Sequence, residues 1–238
     1  MAVRAGVIDV DDSVPPGWRR VRVEEDGAGH IVVAFRLADT GAMADPERFI
    51  AALDTASMTP AGALALGGPE VGDTGEVVLD LRPGVHVFGC VRRDREGRRH
   101  ASLGEASVVV VTGEPEGEMP TATDTVRMTE FAYHLNTTWP PGAHMLRVEN
   151  AGSQDHQLRL ARFKPGASVR AWLDAERKGR LVEEVAGVAR LGPGGTAYLR
   201  LDLEPGDYLL TCLIADPRSD EPHVALGMFK PITVTRQR

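Results

Sequence analysis

The chain has 238 residues, of which 42% are hydrophobic and 26% charged, with a formal net charge of −7 and a pI near 5.5. That acidic balance argues against nucleic acid as a partner, and no apolar run reaches the roughly 18 to 20 residues needed to span a bilayer. Two cysteines, Cys90 and Cys212, allow at most one disulfide and no disulfide framework.

The opening stretch MAVRAGVIDV has neither a long apolar segment nor a small-residue cleavage site. Two compartments stay open: cytoplasmic if the chain is full length, or extracytoplasmic with a signal removed. A first strand is expected near Arg4, leaving no spare N-terminal segment. In chain order, HIVVAFRL (30–37), EVVLDL (76–81), VHVFGCV (85–91) and ASVVVVT (106–112) are β-branched runs bounded by Gly, Pro and Asp, which predicts strands. PERFIAALDTA (46–56) carries Pro in its first turn and predicts a helix. TGEPEGEMPTATDT (112–125) lacks apolar periodicity and is expected to be a linker. Beyond it, HMLRVEN, HQLRLARF, TAYLRLDL, DYLLTCLI and MFKPITVT predict strands, and SVRAWLDAERKG (168–179) a second helix ending in basic residues and Gly.

The two halves read alike. LRPGVHVFGC (81–90) matches LEPGDYLLTC (203–212) at an offset of 122, and RRHASLGE (98–105) matches EPHVALGM (221–228) at 123. VPPGWRRVRVEEDGAGH (14–30) matches WPPGAHMLRVENAGSQDH (139–156) at 125, with His30 aligned to His156 after one extra residue. Segments in the same order at nearly constant offset indicate a tandem duplication of about 115 residues per copy. The expected domains are 1–113 and 118–238. Short strands punctuated by turn signals predict an all-β architecture of two tandem Greek-key β-sandwiches, each with one short helix.

A His just after an Asn-x-Gly turn (NAGSQDHQL, 150–158), then a strand ending in Cys, then CLIADPRSDEPHVALGM (212–228) with its His and Met: this arrangement resembles the cupredoxin fold of blue copper proteins, over nearly the whole chain as two copies. The resemblance implies a copper site in the second copy formed by His156, Cys212 and His223, with Met228 as weak axial ligand. Two imidazoles and a thiolate with a distant thioether suit both Cu(I) and Cu(II). The ten residues between Cys212 and His223 exceed the loop of the family's short-loop electron carriers; copper nitrite reductases use a longer one. In the first copy the aligned set is His30, Cys90, His100 and Glu105. Carboxylate in place of thioether is a harder ligand, favouring Cu(II) or Zn(II).

The seven histidines, His30, His86, His100, His134, His144, His156 and His223, all stand apart. Multicopper oxidases need paired His-x-His motifs, and here Gly89 and Thr211 precede the cysteines where a wiring His would stand. An oxidase or nitrite reductase of the known types is therefore not expected. Structural roles are expected for His86, His134 and His144. The arginines of VRRDREGRR (91–99) and the acids Asp216, Asp220 and Glu221 of the matching loop are expected to be solvated, or to steer a partner or dock the domains. The functional expectation is copper binding with one-electron transfer through the second site, toward a redox partner protein. The alternatives are a copper-dependent enzyme acting on a small organic substrate at a metal site or interdomain cleft, and a metal-free interaction module.

Overall fold

The computed structural model describes residues 2–4, 7–9, 13–23, 30–56, 59–70, 76–174 and 178–236. The protein is all-β: two large sheets, with α-helices, among the described residues, at Pro46–Thr55 and Val169–Asp174 besides short 3-10 turns. Glu76–Leu81 and Gly84–Cys90 form where the β-branched runs predict strands. The helix at Pro46–Thr55 starts because Asp45 accepts hydrogen bonds from the Glu47 and Arg48 main-chain N–H groups, and it buries Phe49 and Leu53 one turn apart. The second expected helix runs only over Val169–Asp174, with Ala171 N–H donating to Ser168 Oγ at 3.2 Å; residues 175–177 of that expectation lie outside the described residues. Residues 24–29, part of one aligned segment, also lie outside them.

Both halves are built on the same pairings. Val110 and Val111 run parallel to Ser13 and Val14, and Thr233 and Val234 run parallel to Thr138 and Trp139. Gly84–Cys90 pairs antiparallel with Ala106–Val111 as Gly206–Thr211 pairs with Phe229–Val234. Inside each half the two faces enclose alternating apolar side chains, such as Phe88 and Val109 in the first and Leu158, Leu160 and Leu210 in the second.

The sheets do not stop at the linker. Glu76–Leu81 pairs antiparallel with its counterpart Thr196–Leu203 through Val77–Leu199, Val78–Tyr198 and Leu79–Ala197. Leu64–Gly67 likewise meets Val182–Leu191 at Leu66–Leu191, and Pro69–Glu70 extends that junction to Gly187 and Val188. Joining equivalent strands antiparallel is what a two-fold relation between the halves requires, and it removes four exposed edges that isolated sandwiches would present. One hydrophobic cluster crosses the junction, with Val77 and Leu79 from one half packed with Val188, Leu191, Ala197 and Leu199 from the other. The segment 113–119 is exposed and lies along Gly17, where a Cβ would meet the Glu116 carbonyl at 2.1 Å.

His86 is fully buried on the strand leading to Cys90, its Nδ1 donating to the Gly84 carbonyl at 3.2 Å. Burial pulls its pKa from 6.5 down to about 4, only partly opposed by that carbonyl. Its folded pKa thus lies below the unfolded one. The stability this group supplies is complete above pH 6.5 and is lost as the pH falls toward 4. The loss is about 3 kcal/mol. His156 shifts the same way to about 4. Replacing His86 by Phe is therefore expected to reduce the stability lost between pH 7 and about pH 4.5 by about 2 kcal/mol, read from urea midpoints at the two values. An unchanged loss contradicts this assignment.

His144 is buried with Nε2 donating to the Pro140 carbonyl at 2.8 Å and its ring 5.8 Å from Trp139, and exposed His134 bonds Thr129 Oγ1 at 2.9 Å. Both sit away from the two groups described next.

Candidate metal centres

In the second half His156 opens the strand His156–Phe163, positioned by the turn before it. Asn150 Nδ2 donates to the Gln154 and Leu191 carbonyls at 2.7 and 2.8 Å, and its Oδ1 accepts from Gly152 N–H at 2.9 Å. Gly152 is needed for space, because a Cβ there would stand 2.8 Å from His156 Nε2. Cys212 follows the strand Gly206–Thr211, and His223 lies across a hairpin closed by His223 N–H to the Ile214 carbonyl at 2.9 Å and by the Ala215–Pro222 bridge. The long Cys-to-His gap is thus spanned by local pairing.

These side chains meet in a dry interior. His156 Nδ1 is 3.1 Å from His223 Nδ1, which is 3.4 Å from Cys212 Sγ, and all three residues are fully buried. Their ligand atoms lie within 4.8 Å of one another. Met228 is also fully buried in the same hydrophobic cluster as Cys212, fixed by Met228 N–H to the His223 carbonyl (2.8 Å) and Cys212 N–H to the Met228 carbonyl (3.3 Å). Gly227 has φ +104, a conformation that makes the turn into Met228 and that glycine adopts without strain.

The first half repeats this main-chain arrangement. Glu105 N–H donates to the His100 carbonyl, and Cys90 N–H to the Glu105 carbonyl, both at 3.0 Å, with Gly104 at φ +108. The difference is the side chain. Glu105 Oε2 lies 2.9 Å from His30 Nδ1 and 3.2 Å from His100 Nδ1, while Cys90 Sγ is 3.8 Å from His30 Nδ1. The carboxylate thus takes part in this group, and it is only half-buried. Both cysteines are free and buried.

Electrostatics without a cation favour neutral groups. Burial pushes the Cys212 thiol up to about 12 and the Cys90 thiol up to about 11. Burial first, then the adjacent His223, holds His156 down near 4. Two imidazole nitrogens face one another at hydrogen-bond distance beside a thiol, and among the described residues the buried His156 Nε2 has no hydrogen-bond partner. A cation placed among these donors offsets the desolvation that burial imposes. The donor set therefore fits a soft or borderline metal ion.

Second-layer residues escaped the sequence reading. Gln157 N–H donates to Cys212 Sγ at 3.4 Å, its Oε1 accepts from Leu213 N–H at 3.0 Å, and its Nε2 donates to buried Glu70 of the first half at 2.9 Å. Asp155 accepts from Thr59 N–H and Oγ1, at 2.8 and 2.7 Å, and from Arg190 at 2.7 Å. His156 is thus flanked on both sides by residues anchored to the other half. Gln154 connects His223 Nε2 (3.3 Å) to Asp216 Oδ1 (3.0 Å). Two charges expected to be solvated are internal. Buried Asp216 caps its own loop through the Arg218 and Ser219 N–H groups, and buried Arg99 ties the first loop to the end of the long helix.

No family model matches the chain, and no curated protein matches it. Among solved structures, an auracyanin of Roseiflexus castenholzii in its dithionite-reduced form is 22% identical at a TM-score of 0.34, covering 47% of this chain and 95% of that one. Auracyanin A, a "blue" copper protein of Chloroflexus aurantiacus, is 16% identical at 0.30, covering 47% and 99%. The blue copper oxidase of Nitrosomonas europaea is 15% identical at 0.27, covering 94% and 75%. These likenesses leave the two centres to be read from their own side chains.

Proposed function

We propose that the chain is a tandem cupredoxin-like protein that binds copper in its second half and passes single electrons through a type 1-like site of His156, Cys212, His223 and Met228. The observation carrying this reading is the convergence of two imidazole Nδ1 atoms and one thiol in a buried pocket. The main-chain bonds that seat Met228 on Cys212 and His223 add to it. Bound there, copper would supply one-electron redox chemistry with a donor set acceptable to both oxidation states.

The residues of the chain do the rest. Cys212 gives up its proton on binding, and Gln157 N–H remains as a donor to the thiolate sulfur. Gln154 and Asp216 hold the His223 ring by its far nitrogen. Burial keeps water from the site, so little has to reorganise when charge changes. The first group, with Glu105 between its two imidazoles, suits a harder ion such as Zn(II) or Cu(II), and we assign it a secondary, structural or tuning part.

The protonation states provide the test. At pH 7 His156, near 4, is neutral, and Cys212, near 12, holds its proton. Loading one equivalent of Cu(II) in weakly buffered solution is expected to release about one proton per copper, measured with a pH indicator. Uptake of copper without proton release contradicts thiolate ligation and with it this reading.

A further inference from the structure

Between the two groups lies a cleft of about 410 Å³, within the range of roughly 300 to 1,000 Å³ usual for small-molecule sites. Residues directly following four candidate ligands reach it: Ile31 after His30, Val91 after Cys90, Gln157 after His156 and Leu213 after Cys212. It therefore opens onto both halves at their junction. Its walls are of two kinds. Ile31, Val91, Leu213 and Ile214 make one side apolar, and Arg93, Arg99 and Arg190 bring three guanidinium groups to the same space.

Arg93 and Arg99 lie near one carboxylate, that of Asp54, which accepts the Arg99 main-chain N–H at 2.5 Å. Arg190 is paired with Asp155 at 2.7 Å, and Glu70, the buried acid of the lining, is matched by Arg159 at 3.3 Å. Arg99 is different. It is 8% exposed, and among the described residues its guanidinium donates to the carbonyls of Leu53 (2.7 Å), Val91 (2.6 Å) and Ala56 (2.8 Å). Among the described residues Arg93 likewise donates to carbonyls, those of Asp54 at 2.9 Å and Gly97. A guanidinium has five N–H donors, so Arg99 keeps two beyond its three carbonyl bonds. Asp220 adds a carboxylate to the lining, but it is exposed.

We propose that this cleft binds a small organic carboxylate, its anionic head on Arg93 and Arg99 and its apolar body against Ile31, Val91 and Leu213. A planar carboxylate matches the guanidinium fork in a bidentate way that a point ion does not, and the apolar wall selects an organic acid over an inorganic anion. The proposal stands apart from the copper reading, since it uses no metal and no candidate ligand.

Calorimetry on the full chain without added metal tests it, with benzoate as the probe and benzamide and inorganic phosphate as comparisons. Benzoate is expected to bind once per chain, with benzamide and phosphate each weaker by about tenfold or more. Arg93→Gln, at an exposed position, should weaken benzoate about tenfold. Leu213→Asp, at a position 45% exposed, should weaken it comparably by placing a like charge on the apolar wall without touching an arginine. Absence of benzoate binding up to millimolar concentration overturns the proposal. Benzamide as tight as benzoate overturns the charge requirement, phosphate as tight as benzoate overturns the organic body, and unchanged affinity in both variants overturns the location.

Discussion

Replacing Cys212 by Ser is expected to abolish the intense visible absorption of the copper-loaded chain and to weaken copper binding in the second half by at least about a hundredfold. The argument starts from the pocket. Cys212 is the one thiol that the structure places beside His156 and His223 among the described residues, and the visible band arises from charge transfer between thiolate and metal. A Ser hydroxyl is a harder ligand and, in so buried a place, holds its proton more strongly still. The fold is expected to survive, because Ser fills nearly the same volume and its oxygen can accept the Gln157 N–H that now goes to sulfur. Cys90→Ser is the matched control. It alters the other buried cysteine, 3.8 Å from His30, and should leave the band of the second half in place. Equal loss in both variants would mean that the band belongs to neither site in particular.

The second large effect concerns the junction of the halves. Gly187→Ala is expected to cost about 3 kcal/mol or more. A Cβ on Gly187 would stand 2.3 Å from the Leu158 carbonyl oxygen and 2.8 Å from Glu70 Cβ. One obstacle is main chain and the other belongs to a strand of the first half, so neither can swing aside as a surface side chain would. Gly187 pairs with Arg159 on one side and Glu70 on the other, so relief of the clash must spread either the strand that carries His156 or the junction itself. Gly179→Ala is the reference, since it is exposed and nothing lies within 4 Å of its Cβ position; it should stay within about 0.5 kcal/mol of the parent. Urea unfolding followed by tryptophan fluorescence and by far-ultraviolet circular dichroism reads both. With one hydrophobic cluster spanning the halves, the two probes should report a single coincident transition. A cost below about 1 kcal/mol for Gly187→Ala would show that the junction yields more easily than its packing implies.

Much of the fold could be read from residue patterns, and the reason differs by element. EVVLDL at 76–81 is a strand because β-branched and apolar residues fill a surface buried on both sides. That pattern says which residues are buried and is silent on which strand edge finds a partner. The pairing of Glu76–Leu81 with Thr196–Leu203 was therefore out of reach, and the chain read as two sandwiches on a linker. The candidate ligands were legible because the repeat holds His, Cys and His in register, and a ligand set of soft and borderline donors is rare enough to stand out. Met228 and Glu105 could be placed at the same position for the same reason, and the structure gives them the same main-chain bonds.

Single charges were less legible. Arg99 belongs to a run of arginines that reads as a solvated loop, yet its stem is buried and its head finds three carbonyls. Nothing in VRRDREGRR separates it from its neighbours. Asp216 did carry a signal: an acid two and three residues before backbone N–H groups in a Pro- and Ser-containing loop is a turn-capping pattern. Gln157 and Glu70 were invisible because their roles depend on a contact between residues 87 positions apart.

The same main-chain frame in both halves carries different final side chains, Glu105 in one and Met228 in the other. Both halves position a Cys, a His and a final ligand by the same hydrogen bonds, and only the last side chain and the depth of burial differ. The second group is wholly buried, and the residues beside His156 are pinned by Thr59 and Glu70 of the first half. The first half thus contributes to the second site's rigidity whether or not it holds an ion of its own.

The central claim, that His156, Cys212 and His223 form a type 1-like copper site, is tested most directly by titrating the full chain with Cu(II) while recording its visible spectrum. The account predicts an intense band that grows linearly and saturates at one copper per chain, and that bleaches on reduction and returns on reoxidation. Copper bound at one equivalent with no intense visible band would contradict it.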